Sequence, residues 1–144
     1  MSIWRIRPTI DGLQAMHADT AIDALGVEFT DIGDDCLSAR MPVDRRTRQP
    51  YGVLHGGTSV VLAETLGSCG AFCVIDDRVS RAFGQEINAN HIRPVTTGWV
   101  TGTARPVHLG RSSHVWSIEI VNDDAKLVCV ARLTVAVIPK ADEW

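Results

Sequence analysis

The sequence predicts an α+β fold in which one curved antiparallel sheet of about six strands wraps a single long helix. Three observations predict it. The run from Gly57 to Ile75 carries Glu64 as its only charge, and a helix that is apolar almost all round is one buried inside a protein. Two strand-like segments precede this run and four follow it, joined by hairpin-length links, which makes the later strands antiparallel neighbours. With 144 residues, 45% hydrophobic and 22% charged, the chain has the size and apolar content of one domain spanning residues 1–144.

In chain order, Thr9 to Leu25 places Ile10, Leu13 and Met16, then Ala21, Ile22 and Leu25, at helical spacing and reads as one or two short helices. Gly26 to Thr30 and Cys36 to Met41 are strand-like, and the turn residues Asp31 to Asp35 between them complete a first hairpin. Pro42 to Tyr51, with Arg45, Arg46, Arg48 and Pro50, reads as an exposed loop. The Gly57–Ile75 run is nearly long enough to cross a bilayer at about 1.5 Å per residue, but a mid-span carboxylate and flanking strands argue for a core helix instead. Strands are expected over Ala82–Arg93, Gly98–Pro106, Arg111–Val121 and Leu127–Ile138, with turns at Pro94–Thr97, His108–Gly110 and Asn122–Asp124. In the third of these His114, Trp116, Ile118 and Ile120 share a face, and in the last Leu127, Cys129, Ala131, Leu133, Val135 and Val137 do.

A net charge of -3 gives no basic footprint for nucleic acid. Arg5 and Arg7 interrupt what a secretory leader would keep apolar, so the expected location is the cytoplasm, with no membrane partner. The four cysteines, Cys36, Cys69, Cys73 and Cys129, form no C-x-x-C pair and are expected as reduced, mostly buried side chains. His17, His108 and His114 lack the spacing of metal ligands, and no metal is implied.

Glu64 is the informative residue. A carboxylate in the middle of an apolar helix needs a paired charge, hydrogen-bond donors or water, and Thr65 and Ser68 make a narrow polar seam beside it. The seam fits an active site; a structural Glu held by an arginine is the alternative. Just ahead stands Leu54-His55-Gly56-Gly57. Two glycines let a ligand approach the backbone, and the free N–H groups of a helix N-terminus suit a developing oxyanion. A tight entry turn with His55 as a cap is the alternative there. Eight residues separate Gly56 from Glu64, about 12 Å of helix, too far to grip one carbonyl in a single chain. Two helices running antiparallel across a two-fold dimer would bring the start of one beside the middle of the other, which predicts composite sites.

The motifs Gln49-Pro50-Tyr51-Gly52-Val53-Leu54-His55-Gly56-Gly57-Thr58-Ser59 and Leu62-Ala63-Glu64-Thr65-Leu66-Gly67-Ser68 resemble those of the hotdog-fold thioesterases, within them the aryl-CoA thioesterase branch. Ile32–Asp35, Met41–Asp44, Glu86–His91 and Pro106–Arg111 extend the resemblance over nearly the whole chain. It implies that Glu64 is the catalytic carboxylate, as nucleophile or general base, and that the Gly56 N–H polarises the thioester carbonyl. It further implies that His55 and Gln49 position the thioester from the partner chain and that Ser68 supports Glu64. Gly57 belongs to the same helix start, His91 to the acyl end of the pocket, and Gly110, Arg111 and Ser112 to the pantetheine or nucleotide contacts. Cys69, one position past the seam, is a candidate for setting acyl specificity, with plain packing as its alternative.

The implied substrate is an aromatic acyl-CoA or acyl-carrier-protein thioester, coenzyme A being part of the substrate and no separate cofactor being needed. A homotetramer built from two dimers is implied as well. The competing readings are a hotdog dehydratase acting on a 3-hydroxyacyl thioester and a non-catalytic acyl-CoA-binding protein. Retention of Glu64 speaks against the second.

Overall fold

The computed structural model describes residues 1–140. Helices α1 (Ile10–Met16) and α2 (Ala21–Ala24) open the chain, each started by a threonine hydroxyl, Thr9 or Thr20, that accepts from the N–H of Gly12 or Ile22. Strands β1 (Glu28–Ile32) and β2 (Leu37–Pro42) precede the long helix α3 (Gly56–Val74), and β3 (Ser80–His91), β4 (Trp99–Leu109), β5 (Ser113–Asn122) and β6 (Leu127–Pro139) follow it. All six strands join one antiparallel sheet in the order β1-β2-β4-β5-β6-β3. Helix α3 touches every strand from β2 to β6.

The expected faces of β5 and β6 form the core. Trp116, Ile118, Ile120, Leu133 and Val135 are fully buried. A Cβ on Gly70 would stand 2.6 Å from the Trp116 ring, and one on Gly67 would stand 2.6 Å from Leu133 Cδ2. The two glycines thus let the helix lie directly on the sheet.

Four expectations need correction. First, β3 and β4 are not neighbours: β3 pairs with β6 and β4 with β2. The link between them holds Ile92 to Gly98, and seven residues can span about 23 Å, more than the three inter-strand spacings of about 4.8 Å from β3 to β4. It is pinned on the way by Ile92 N–H to the Val128 carbonyl, and by the Val95 carbonyl, which accepts from Leu54 N–H. Second, strand ends slip where bulges absorb a residue. A shift between Phe29 and Asp31 carries β1 on to Ile32, and one between Pro106 and His108 carries β4 on to Leu109; proline, with no N–H to give the ladder, sits at such an irregularity.

Third, the loop before α3 is not simply exposed, because Thr47 is fully buried and its hydroxyl donates to the Pro42 carbonyl at 2.6 Å. Fourth, α3 is only half-covered. A stripe of Gly57, Val61, Glu64, Thr65, Ser68 and Phe72 stays partly or fully open, Phe72 by 42%. By length and composition α3 could cross a membrane, but its other side is sheet core. The outer sheet face presents Thr103, Arg105, Ser117 and Glu119 at its centre, so it lacks the apolar character that would drive association through it.

Candidate active site

The start of α3 is fastened before it offers anything to a ligand. The Thr47 carbonyl accepts from His55 N–H at 2.8 Å and from the Thr58 hydroxyl at 3.2 Å. His55 is the N-cap: its Nδ1 accepts from Gly57 N–H at 2.8 Å. An accepting Nδ1 leaves the ring proton on Nε2, so the neutral imidazole presents a donor outward. The Thr58 and Ser59 N–H groups turn back to the His55 carbonyl. Among the described residues only the Gly56 N–H of this first turn has no acceptor. The two-glycine expectation therefore narrows, with Gly57 spent on the cap and Gly56 free.

Glu64 lies two turns further on, half-buried, with no ion pair or hydrogen bond among the described residues. No arginine among the described residues holds it, as the structural alternative would require. Of the polar seam, Thr65 is already engaged, donating to the Val61 carbonyl at 2.7 Å. Ser68, one turn from Glu64 and half-buried, remains beside it. Cys69 turns away from this stripe: it is buried, and its sulfur is 3.6 Å from His17 Nε2. Burial pushes the Cys69 thiol up to about 12, with a smaller push from Cys73, so it is a poor nucleophile.

Gln49, Gly56 and His91 line one cleft of about 280 Å³, together with Val53, Ile92 and Arg93. The His91 ring covers Gly56 so closely that a Cβ there would stand 2.7 Å from Nε2. The Gln49 side-chain oxygen accepts from Tyr51 N–H, which leaves its amide as a donor. Gly110, Arg111 and Ser112 lie elsewhere, at the β4–β5 turn, where Gly110 and Arg111 line a cavity of about 350 Å³ beside the C-terminal end of α3 with Asp76 and His114. Burial, then the charge of His108, lowers the His114 pKa, and its Nδ1 has no partner among the described residues. The residues singled out from the sequence thus fall in three places in one chain: the helix start, the middle of the helix, and the far turn. Sequence reasoning missed Gly84 of β3, against which the Glu64 carboxylate lies; a lone glycine inside a strand pattern was the available sign.

An unpartnered carboxylate and a free helix-start N–H are the two parts that acyl transfer to water requires. Residues 51–129, more than half of the chain, match the family model described as the thioesterase superfamily, and the chain belongs to that family as a hotdog-fold thioester hydrolase. It is similar to the 1,4-dihydroxy-2-naphthoyl-CoA hydrolase of Escherichia coli strain K12, at 45% identity over 136 residues, 94% of this chain and 99% of that one. It is similar as well to the proofreading thioesterase EntH of Cronobacter turicensis, at 45% identity over 135 residues, 94% of this chain and 98% of that one. Among solved structures, a mutant thioesterase from Pseudomonas aeruginosa superposes with a TM-score of 0.95 at 47% identity, covering 96% of this chain and all of that one.

Proposed function

We propose that the chain hydrolyses aromatic acyl thioesters of coenzyme A or an acyl carrier protein at composite sites, Glu64 from one copy facing Gly56, His55, Gln49 and His91 from another. The observation that carries the reading is the separation of two unsatisfied groups: the free Gly56 N–H and the unpaired Glu64 sit about 12 Å apart on one rigid helix. A second copy running antiparallel closes that gap. Two surfaces suit such a pairing: the open stripe of α3, and β3, an edge strand whose only neighbour among the described residues is β6. Association of two such dimers into a tetramer is the further assembly the family suggests.

In the reaction the Gly56 N–H binds the thioester oxygen and stabilises the charge that develops on it. Glu64 takes a proton from water as the water oxygen attacks the carbonyl carbon. The tetrahedral intermediate collapses, the C–S bond breaks, and Glu64 returns the proton to the departing thiolate. Attack by the carboxylate itself, through an anhydride that water then opens, uses the same geometry. Neither route calls for a metal or a redox group.

The test follows thiol release from benzoyl-CoA, a hydroxybenzoyl-CoA, a dihydroxynaphthoyl-CoA and a medium-chain acyl-CoA with wild type and Glu64→Ala. Release by the wild type, fastest with the aromatic substrates and lost in the variant, is expected. No release from any of them would refute the reading. Composite sites are tested by mixing two inactive variants, Glu64→Ala and Gly56→Pro: random pairing restores about one quarter of wild-type activity if the two groups come from different copies, and none if they come from the same one.

A further inference from the structure

Gly84 is the point at which the edge strand meets the mid-helix carboxylate. Its φ lies outside the left-handed region, so the backbone there does not require glycine, and it is exposed, so core packing does not require it either. One group does. A Cβ on Gly84 would overlap Glu64 Oε1 and stand 3.2 Å from Glu64 Cδ, while the next neighbour, Leu133 Cδ1 at 3.6 Å, is at ordinary contact distance.

We propose that Gly84 is a positioning residue for the catalytic carboxylate, its missing side chain making the strand backbone the wall on which Glu64 is seated. The proposal rests on the thioesterase reading of Glu64. The register that places Gly84 there comes from a bulge. Gly84 pairs with Val135 and Glu86 with Thr134, leaving Gln85 outside the ladder. Before the bulge Ala82 packs toward the core, and after it Ile87 and Ala89 do. Gly84 and His91 are seven positions apart and would face opposite sides of a regular strand. The extra residue turns both toward α3, one against Glu64 and the other against Gly56.

The test is Gly84→Ala. The overlap falls on the far end of a flexible side chain, so the fold absorbs it by moving the carboxylate on the order of 1 Å, a displacement that can cost about 100-fold in rate. The expected result with benzoyl-CoA is a fall in kcat of about 100-fold with KM within about 3-fold. The melting temperature should be unchanged or raised, because alanine restricts the unfolded chain more than glycine does. In a Glu64→Asp background the carboxylate is drawn back from the strand, and adding Gly84→Ala should cost no more than about 2-fold. A kcat within about 3-fold of wild type, an equal loss in both backgrounds, or a loss accompanied by a lower melting temperature would each overturn the proposal. A wild type that releases no thiol, or a Glu64→Ala variant that keeps its rate, would show instead that the assignment of Glu64 had failed, and the role of Gly84 would fall with it.

Discussion

Replacing Gly56 by proline deletes one N–H and asks little else of the helix. Gly56 is the first residue of α3, where proline's fixed φ fits and the lost N–H breaks no intrahelical bond. His55 before it lies at φ -71°, ψ 127°, in the extended region that a residue preceding proline prefers. Gly56→Ala is the control, because both variants place a Cβ about where it would stand 2.7 Å from His91 Nε2 and displace that ring. The ratio between the two variants isolates the donor. Removing one oxyanion donor costs about 100- to 1,000-fold in kcat, or about 2.7–4 kcal/mol, and Gly56→Pro should fall below Gly56→Ala by that factor. The assay is thiol release from benzoyl-CoA, with melting curves to confirm that both variants fold. A proline variant within about 3-fold of the alanine variant would refute the role given to this N–H.

Other outcomes are expected on stability and reactivity. Gly70→Ala drives a Cβ to 2.6, 2.8 and 3.0 Å from three atoms of the buried Trp116 ring; it should destabilise the fold by about 1–3 kcal/mol, measured by urea unfolding, and a neutral result would mean that the ring moves freely. Burial pushes the thiols of Cys69 and Cys73 up to about 12 and about 11, from 9.0. The folded thiols therefore stay protonated where those of the unfolded chain ionise, and stability should fall as pH rises above about 9, by at most about 1.4 kcal/mol per pH unit for each thiol. Iodoacetamide at pH 8 should accordingly label Cys69 only after unfolding, and rapid labelling of the native protein would contradict its burial. Deleting Gln85 removes the bulge and should lower the melting temperature and abolish thiol release together; wild-type kcat in that variant would show that the strand re-registers without harm.

Much of the molecule could be read from the sequence because its signals were local. One low-polarity run with a single charge marks α3, and the alternation of His114, Trp116, Ile118 and Ile120 names the buried face of β5 correctly. The class of chemistry came with the resemblance to the hotdog-fold thioesterases, carried by the motifs around Glu64 and His55-Gly56-Gly57, which are local as well. What escaped was set by backbone register and by distance through space. The bulge at Gln85 shows in the sequence only as the lone Gly84 inside a strand pattern, which marks a close approach without naming Glu64 as the group that makes it. The burial of Thr47 depends on the Pro42 carbonyl turning back to meet its hydroxyl, and nothing in an arginine-rich loop announces that. Short links also misled, since Ile92 to Gly98 is long enough to step over two strands.

The sheet order carries a consequence for the time course of folding. Strands β4, β5 and β6 pair with their neighbours in sequence across short turns, whereas β3 ends at His91 and its partner strand, β6, begins at Leu127. Closing that distance costs chain entropy before any contact rewards it, and such pairings form slowly. The strand that bears Gly84 and His91 is therefore expected to dock after the β4-β5-β6 meander has formed. Pulse-labelled hydrogen exchange should show its amides protected later than those of β5. The chain would then hold a stable scaffold before it holds a working site, and any newly made copy would pass through a stage that is folded but inert.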